Sequence, residues 1–342
     1  MPSRVNRQWI VTAAYDNEVG ESSFRWVESP MPAPGEGEML LRNLWLSFDP
    51  TQILLMGVPR ENDGFPIGSP MRGLTASRVI ESGRPEFQPG DLVHGYAGWE
   101  DYTVTDGRGY FETTRVPDGI PPHRALGTFG VTGMVAYFGV VEIARPKAGE
   151  TFVISAAAGG VGSIAAQIAR IHGLRVIGIA GGREKCDWLT REAGADAAID
   201  HRSEDVGARL DALCPDGIDI YFDNVGGPTL DLALARLRRH GRIVVCGGTS
   251  VYTQKSMPPG PVNYLQLCMM NGRMEGLLGR DYAARFPEAI AAMRPWVDSG
   301  QLRPREDIVV GLENAPRTLA RLFSGANVGK QLLKITDEPA PP

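Results

Sequence analysis

Two stretches of this chain carry residues whose types and spacing can do chemistry. The first is Ser155-Ala156-Ala157-Ala158-Gly159-Gly160-Val161-Gly162-Ser163, in which Ala156, Gly159 and Gly162 fill the small-residue positions of an A-x-x-G-x-x-G turn, a shifted form of G-x-G-x-x-G. Small residues at this spacing let the backbone turn tightly, approach a pyrophosphate and pack the next helix on the preceding strand. The helix N-terminus then presents N–H groups and a positive dipole end to the anion. The second stretch is Ile179-Ala180-Gly181-Gly182-Arg183-Glu184-Lys185, at the expected end of the following strand. A site for NAD usually carries Asp or Glu there to hold the ribose 2′-hydroxyl. Two glycines stand in that place, Arg183 and Lys185 follow, and Glu184 is displaced into the helix start. Removing the carboxylate and adding cations suits a 2′-phosphate, hence NADP(H). Cations on a first helical turn work against the macrodipole, so a ligand accounts for them better than solvation does.

Metal chemistry is not expected. His94, His123, His172, His201 and His240 are scattered, no H-E-x-x-H occurs, and Cys186, Cys214, Cys246 and Cys268 form no C-x-x-C pair. Without a Lewis acid, alcohol oxidation loses its usual route to an alkoxide. No G-x-S-x-G elbow is present, which disfavours a serine hydrolase of that type. Hydride transfer to an activated acceptor remains, with the cofactor supplying the reactivity.

These groups need elements to position them. A chain of 342 residues, 43% hydrophobic and 22% charged, reads as an ordinary globular protein of one large or two medium domains. With a net charge of −5 and no dense Lys/Arg run, nucleic acid is not an expected partner. No apolar run reaches the length of a membrane span. Met1-Pro2-Ser3-Arg4 leads into polar residues, and the cysteines read as reduced and mostly buried, so a cytoplasmic location is expected. Residues 1–127 look β-rich, with short apolar segments such as Met39-Leu40-Leu41 between Gly/Pro turns, as in a partly open barrel or small sandwich. Residues 124–143 have helical spacing. Apolar strands at 151–155, 175–179, 197–200, 218–222 and 242–246 then alternate with helices at 161–171, 184–193, 206–213 and 229–237. That alternation predicts an α/β fold with a doubly wound parallel sheet covered on both faces. Short strands at 307–310 and 331–335 are expected to rejoin the first domain. The expected domains are therefore residues 1–127 plus 305–342, β-rich, and residues 128–304, dinucleotide-binding.

The chain resembles the zinc-independent branch of the medium-chain dehydrogenase/reductase superfamily. Within it, the chain is similar to the group of prostaglandin reductases, leukotriene hydroxydehydrogenases, alkenal double-bond reductases and curcumin reductases. The likeness rests on Asn6-Arg7-Gln8-Trp9, Leu46-Ser47-Phe48-Asp49-Pro50, Gly98-Trp99-Glu100-Asp101-Tyr102, the turn at 156–162, Asp223-Asn224-Val225-Gly226-Gly227, Gly311-Leu312-Glu313-Asn314-Ala315-Pro316 and Asn327-Val328-Gly329-Lys330. It implies a Rossmann domain beside a GroES-like partly open barrel. It also implies NADPH-dependent reduction of the C=C bond of α,β-unsaturated ketones and aldehydes, with hydride going to the β-carbon and a proton to the α-carbon. Gly159, Gly160, Val161 and Gly162 would hold the pyrophosphate and Lys185 the 2′-phosphate. Asn224, Cys246, Gly247 and Tyr252 would line the cofactor, Leu277 and Leu278 would offer backbone groups to the carboxamide, and Asn327 would close over the cofactor from the other domain.

Departures from the group are visible. Thr51-Gln52-Ile53 follows Pro50 where Tyr-Met-Arg is common, Val135 stands where a Thr hydroxyl is common, and Leu277-Leu278-Gly279-Arg280 replaces a more aromatic stretch. His201 stands where a Tyr often flanks the 2′-phosphate, and would contact it more strongly when protonated. Tyr252 is the candidate catalytic hydroxyl, placed to bond the cofactor ribose or the developing enolate oxygen. The alternative is a loop tyrosine with no chemical role. Trp45, Phe48, Trp99, Tyr264 and Met270 are candidates for an apolar acceptor pocket or for core. The loop Lys255-Ser256-Met257-Pro258-Pro259-Gly260-Pro261 is a candidate specificity element. A quinone reductase, or a cofactor-binding protein with little turnover, are the alternative functions. A homodimer is expected, with residues 242–246 or 265–270 as the edge.

Overall fold

The computed structural model describes residues 5–16, 20–59, 64–254, 256 and 258–337. Contacts divide the chain into two compact units. The first comprises Met1–Gly130, Glu306–Asn327 and Gln331–Pro342; the second comprises Val131–Arg305 and Val328–Lys330.

The first unit is β-rich. Strands β1 (Val5–Val11) and β2 (Phe24–Pro30) form an antiparallel ribbon in which Trp9 faces Trp26, with the rings edge-on at 5.1 Å. A larger sheet uses β3 (Met39–Ser47), β4 (Arg72–Ser82), β5 (Leu92–Gly98), β6 (Tyr102–Thr105) and β7 (Thr114–Arg115). Register shifts between β3 and β4, at Leu40/Leu41 and Asn43/Trp45, are bulges of the kind that bend a sheet toward a barrel. Met39, Leu41, Val79, Phe87 and Val93 fill one side of the bend. Around Glu100 the interior is polar. Glu100 accepts bonds from Asn6 Nδ2 (3.0 Å) and Thr103 Oγ1 (2.7 Å), and Asn43 Nδ2 donates to the Glu100 carbonyl at 2.9 Å. Burial pushes this carboxyl up to about 7.

The second unit is a doubly wound α/β domain. Strands β8 (Thr151–Ile154), β9 (Arg175–Ala180), β10 (Ala197–Asp200), β11 (Ile218–Asp223), β12 (Leu237–Val245) and β13 (Arg273–Gly276) lie in the order β10-β9-β8-β11-β12-β13, every pair parallel. Strand order reverses between β8 and β11, which creates the crevice at the carboxyl edge where such sheets bind ligands. Phe152, Val153, Ile154, Tyr221 and Phe222 are fully buried, as strands covered on both faces require. Helices Gly160–Ile171, Arg183–Arg191, Val206–Leu213 and Gly227–Leu234 connect the strands. The chain then supplies β14 (Glu306–Val310) and β15 (Lys330–Lys334) to the first unit's sheet, where Leu332, Leu333 and Lys334 of β15 pair with β3.

Several expectations change. The helical stretch expected at 124–143 is three pieces. These are Pro122–Leu126, Val131–Phe138 and a wide-turned helix, Gly139–Ala144. The last ends at Arg145 in the left-handed region, and Arg242 takes the terminal carbonyls of Ala144 (2.8 Å) and Arg145 (3.1 Å). Residues 242–246 are not an edge, because β12 is flanked by β11 and β13; the edge on that side is β13. Among the cysteines only Cys214 is buried, Cys186 and Cys246 are half-buried, and Cys268 is exposed. Among the described residues, no helix is long and apolar enough to cross a membrane.

Candidate cofactor and active site

The turn after β8 has the geometry that its small residues permit. Ala156 sits at φ +46°, and Gly159 caps the 12-residue helix with its N–H on the Ala156 carbonyl at 2.9 Å. A Cβ on Gly162 would stand 2.2 Å from the Ala156 carbonyl oxygen, so only glycine lets the first helical turn rest on the loop. Ala157 N–H donates to Ile179 O (3.0 Å), tying the turn to β9. Gly329 N–H donates to Ala158 O (2.7 Å), and Gly329 bridges Gly159 in parallel. Gly329 adopts φ +83°, with its Cβ position 2.2 Å from Arg305 O, which explains the glycine there. The helix begins at Gly160, so Gly160, Val161 and Gly162 supply the first N–H groups that an N-terminus turns outward. This matches the needs of a pyrophosphate.

At the end of β9, Gly182 has φ +97° and opens the helix carrying Lys185 on its first turn. The neighbouring strand β10 runs in register, with Asp200 beside Ala180. The residues after it therefore arrive at the same edge. A Cβ on Gly181 would meet His201 Nε2 at 2.7 Å and Arg202 Nε at 3.0 Å. Arg183 leans instead toward Asp187, at 3.7 Å.

Behind the crevice lies a buried polar network. Asp223 accepts bonds from Ser155 Oγ (3.0 Å), Tyr221 Oη (3.2 Å), Val225 N–H (3.1 Å) and Gly226 N–H (3.0 Å). Burial pushes Asp223 above the usual carboxylate range, against the pull of the Gly226 and Val225 N–H groups. Asn224 Nδ2 donates to Ser155 O at 2.7 Å, and its backbone N–H to Ser155 Oγ at 2.9 Å. The N–H groups of Cys246 (2.9 Å) and Gly247 (3.1 Å) converge on Asp223 O. Tyr252 Oη accepts the Gly248 N–H at 3.0 Å and lies 3.3 Å from the Cβ position of Gly247. Asn224, Cys246, Gly247 and Tyr252 thus share one edge. Leu277 joins them through its N–H on Val245 O (3.0 Å), while Leu278 is exposed.

Residues 7–113 match a family described as the N-terminal domain of oxidoreductase, and residues 160–294 one described as zinc-binding dehydrogenase. The chain is 39% identical over 340 residues to the NADPH-dependent curcumin reductase of Escherichia coli (strain K12), covering 97% of this chain and 98% of that one. It is 40% identical over 310 residues to the NADP(+)-dependent 2-alkenal reductase of Nicotiana tabacum, covering 89% of each. The crystal structure of CurA in complex with NADPH from Vibrio vulnificus superposes with a TM-score of 0.88 at 38% identity, covering 97% of this chain and 100% of that one. The chain belongs to the medium-chain dehydrogenase/reductase family.

Within the family the group is the one that holds the curcumin, alkenal, pulegone and prostaglandin reductases. Although one family description mentions zinc, no three His, Cys, Asp or Glu residues cluster as metal ligands among the described residues. Cys246 is a poor nucleophile, because burial pushes its thiol up to about 12.

The five candidates for an apolar pocket or for core are divided between the two units. Phe48 and Trp99 are fully buried in the first unit, 5.1 Å apart, with Trp99 stacked on Phe24. Trp45 lies against His123 in the same unit. In the second unit Tyr264 is exposed, and Met270 packs on the sheet's apolar cluster. Asn327 is buried in the first unit. In the candidate specificity loop, Lys255 and Met257 lie outside the described residues. Sequence reasoning passed over Ser155 and Asp223 as positioning groups, and over Gly329 and Arg202. Ser155, Asp223 and Gly329 stood inside the quoted motifs; Arg202 is signalled only by its place next to His201.

Proposed function

We propose that this protein is an NADP-dependent oxidoreductase that reduces the C=C bond of α,β-unsaturated ketones and aldehydes. When bound, NADPH supplies hydride from nicotinamide C4, and the acceptor takes it at the β-carbon. The observation that carries the reading is the end of β9, where Gly181 and Gly182 replace the ribose-binding acid and Lys185 follows. The names of the relatives, NADPH-dependent curcumin reductase and NADP(+)-dependent 2-alkenal reductase, support both coenzyme and substrate class.

In this reading Gly159, Gly160, Val161 and Gly162 bind the pyrophosphate, and Lys185 and His201 bind the 2′-phosphate. Asn224, Cys246, Gly247, Leu277 and Leu278 line the nicotinamide half. Tyr252 holds a proton at its phenol oxygen, since burial raises it above the usual tyrosine range and the Gly248 N–H leaves the O–H free to donate. A donor preorganised toward the developing enolate oxygen stabilises the transition state most. No metal takes part. In this reading the first unit is the substrate domain and the second the cofactor domain.

The molecule is a cytoplasmic homodimer in this reading. Free cysteines fit that compartment. Edge strand β13 carries the exposed Met274, and Leu265 and Met269, 64% and 72% exposed, lie in the same unit. The test is NADPH oxidation against linear enones, enals and a quinone, with products analysed for C=C or C=O reduction. Turnover of the quinone alone would mark a quinone reductase. Coenzyme binding without oxidation by any acceptor would mark a binding protein.

A further inference from the structure

The glycine pair that replaces the ribose-binding acid has a neighbour that sequence spacing does not show. The Cβ position of Gly181 is 2.7 Å from His201 Nε2 and 3.0 Å from Arg202 Nε, and that of Gly182 is 3.9 Å from Arg202 Nη1. The space left by the missing side chain is occupied by an imidazole and a guanidinium. Asp200 fixes this arrangement. Its Oδ1 accepts both the Gly182 N–H (2.7 Å) and the Arg202 N–H (3.0 Å), so one carboxylate oxygen ties the β9 loop to the β10 loop. Its Oδ2 accepts the Ser203 hydroxyl (2.9 Å), and its N–H donates to Glu204 at 2.8 Å. The backbone donors hold the Asp200 carboxyl below its usual range, so it stays charged.

We propose that Arg202 determines coenzyme specificity, its guanidinium binding the phosphate on the adenosine ribose of NADPH together with Lys185. The proposal rests on the NADPH reading above. Glu204 is paired with Arg209 at 2.8 Å, so a phosphate brought to this edge meets chiefly the negative charge of Asp200, which a cation over the glycine pair offsets. Arg202 is placed there, its Nε 3.0 Å from the Cβ position of Gly181 and its Nη1 3.9 Å from that of Gly182, and Arg183 is not among the groups nearest the Cβ position of Gly181. The planar fork of guanidinium N–H groups matches phosphate oxygens in a way that the Lys185 ammonium, a point charge, does not. The second cation of the site thus comes from the loop after β10 and not from the helix after β9.

Calorimetric titration of the full chain with NADPH, NADH and 2′,5′-ADP tests this in wild type and Arg202→Gln. Loss of a charge-assisted contact should weaken NADPH and 2′,5′-ADP by about tenfold or more and leave NADH unchanged. An unchanged melting temperature is expected, because the side chain is on the surface. A variant that keeps the wild-type preference, or that loses NADH affinity by the same factor, overturns the role of Arg202 alone. A wild-type protein that binds NADH as tightly as NADPH overturns the coenzyme reading itself, and the proposal with it.

Discussion

The phenol oxygen of Tyr252 receives the backbone N–H of Gly248 at 3.0 Å, four residues back in the chain. The bond fills a lone pair and fixes the ring over Gly247 and Gly248, neither of which has a side chain to obstruct it. The phenol proton then remains for a partner outside the loop.

Tyr252→Phe should therefore lower kcat on an enone by about tenfold or more, roughly 1.4 kcal/mol of transition-state stabilisation. Steady-state kinetics at saturating NADPH measure it, with NADPH affinity as the companion reading. Unaltered kcat would remove Tyr252 from the catalytic groups and leave it as a loop anchor.

Gly162→Ala tests the turn. The added carbon would stand 2.2 Å from a backbone carbonyl and 2.8 Å from Ala157 Cα, and neither can swing aside as a flexible side chain would. Either the first turn of the helix shifts, displacing the N–H groups, or the domain is destabilised by about 2 kcal/mol or more. Expected outcomes are loss of NADPH binding in titration and a lower melting temperature. Gly37→Ala is a useful contrast, since nothing lies within 4 Å of its Cβ position and its cost is confined to the positive φ.

The second unit was largely legible because its strands are apolar throughout and its turn is built of small residues, both of which leave a mark in one dimension. Element ends moved by one or a few residues: β9 runs to Ala180, and its following helix starts at Arg183 and stops at Arg191. The sixth strand was not legible. Arg273-Met274-Glu275-Gly276 is short and charged, as an edge strand facing solvent is, and carries no apolar run. The glycines between Leu126 and Val131 break the expected helix, because a Cβ on Gly130 would lie 2.1 Å from Ala125 O. Phe48 and Trp99 show the limit for site residues. Their type suits a pocket or a core equally, and only packing tells which. Arg202 reaches Gly181 across a parallel pair of strands, a neighbourhood that spacing along the chain does not encode.

Edge exposure predicts the oligomeric state. If β13 pairs with its copy, Met274→Glu places like charges beside Glu275 and across the join, and the dimer should separate. Light scattering after size exclusion reads the mass directly. A dimer that survives both this change and Leu265→Glu would locate the interface elsewhere.

Glu100 predicts a dependence of stability on pH. Its carboxyl titrates near 7 in the folded chain because it is buried, against a value of about 4.3 in an unfolded one. Between those values the folded state binds the extra proton, so stability is greatest below the unfolded value and declines as pH rises through about 7. The ionised form has Asn6 Nδ2 and Thr103 Oγ1 as donors, which soften the cost of the buried charge. Denaturant titrations of wild type and Glu100→Gln from pH 5 to pH 8 separate this slope from other groups. Wild type should lose stability relative to the variant across that window, whatever constant offset the amide introduces. Parallel curves would place the Glu100 carboxyl in its ordinary range and leave its burial with no consequence for pH.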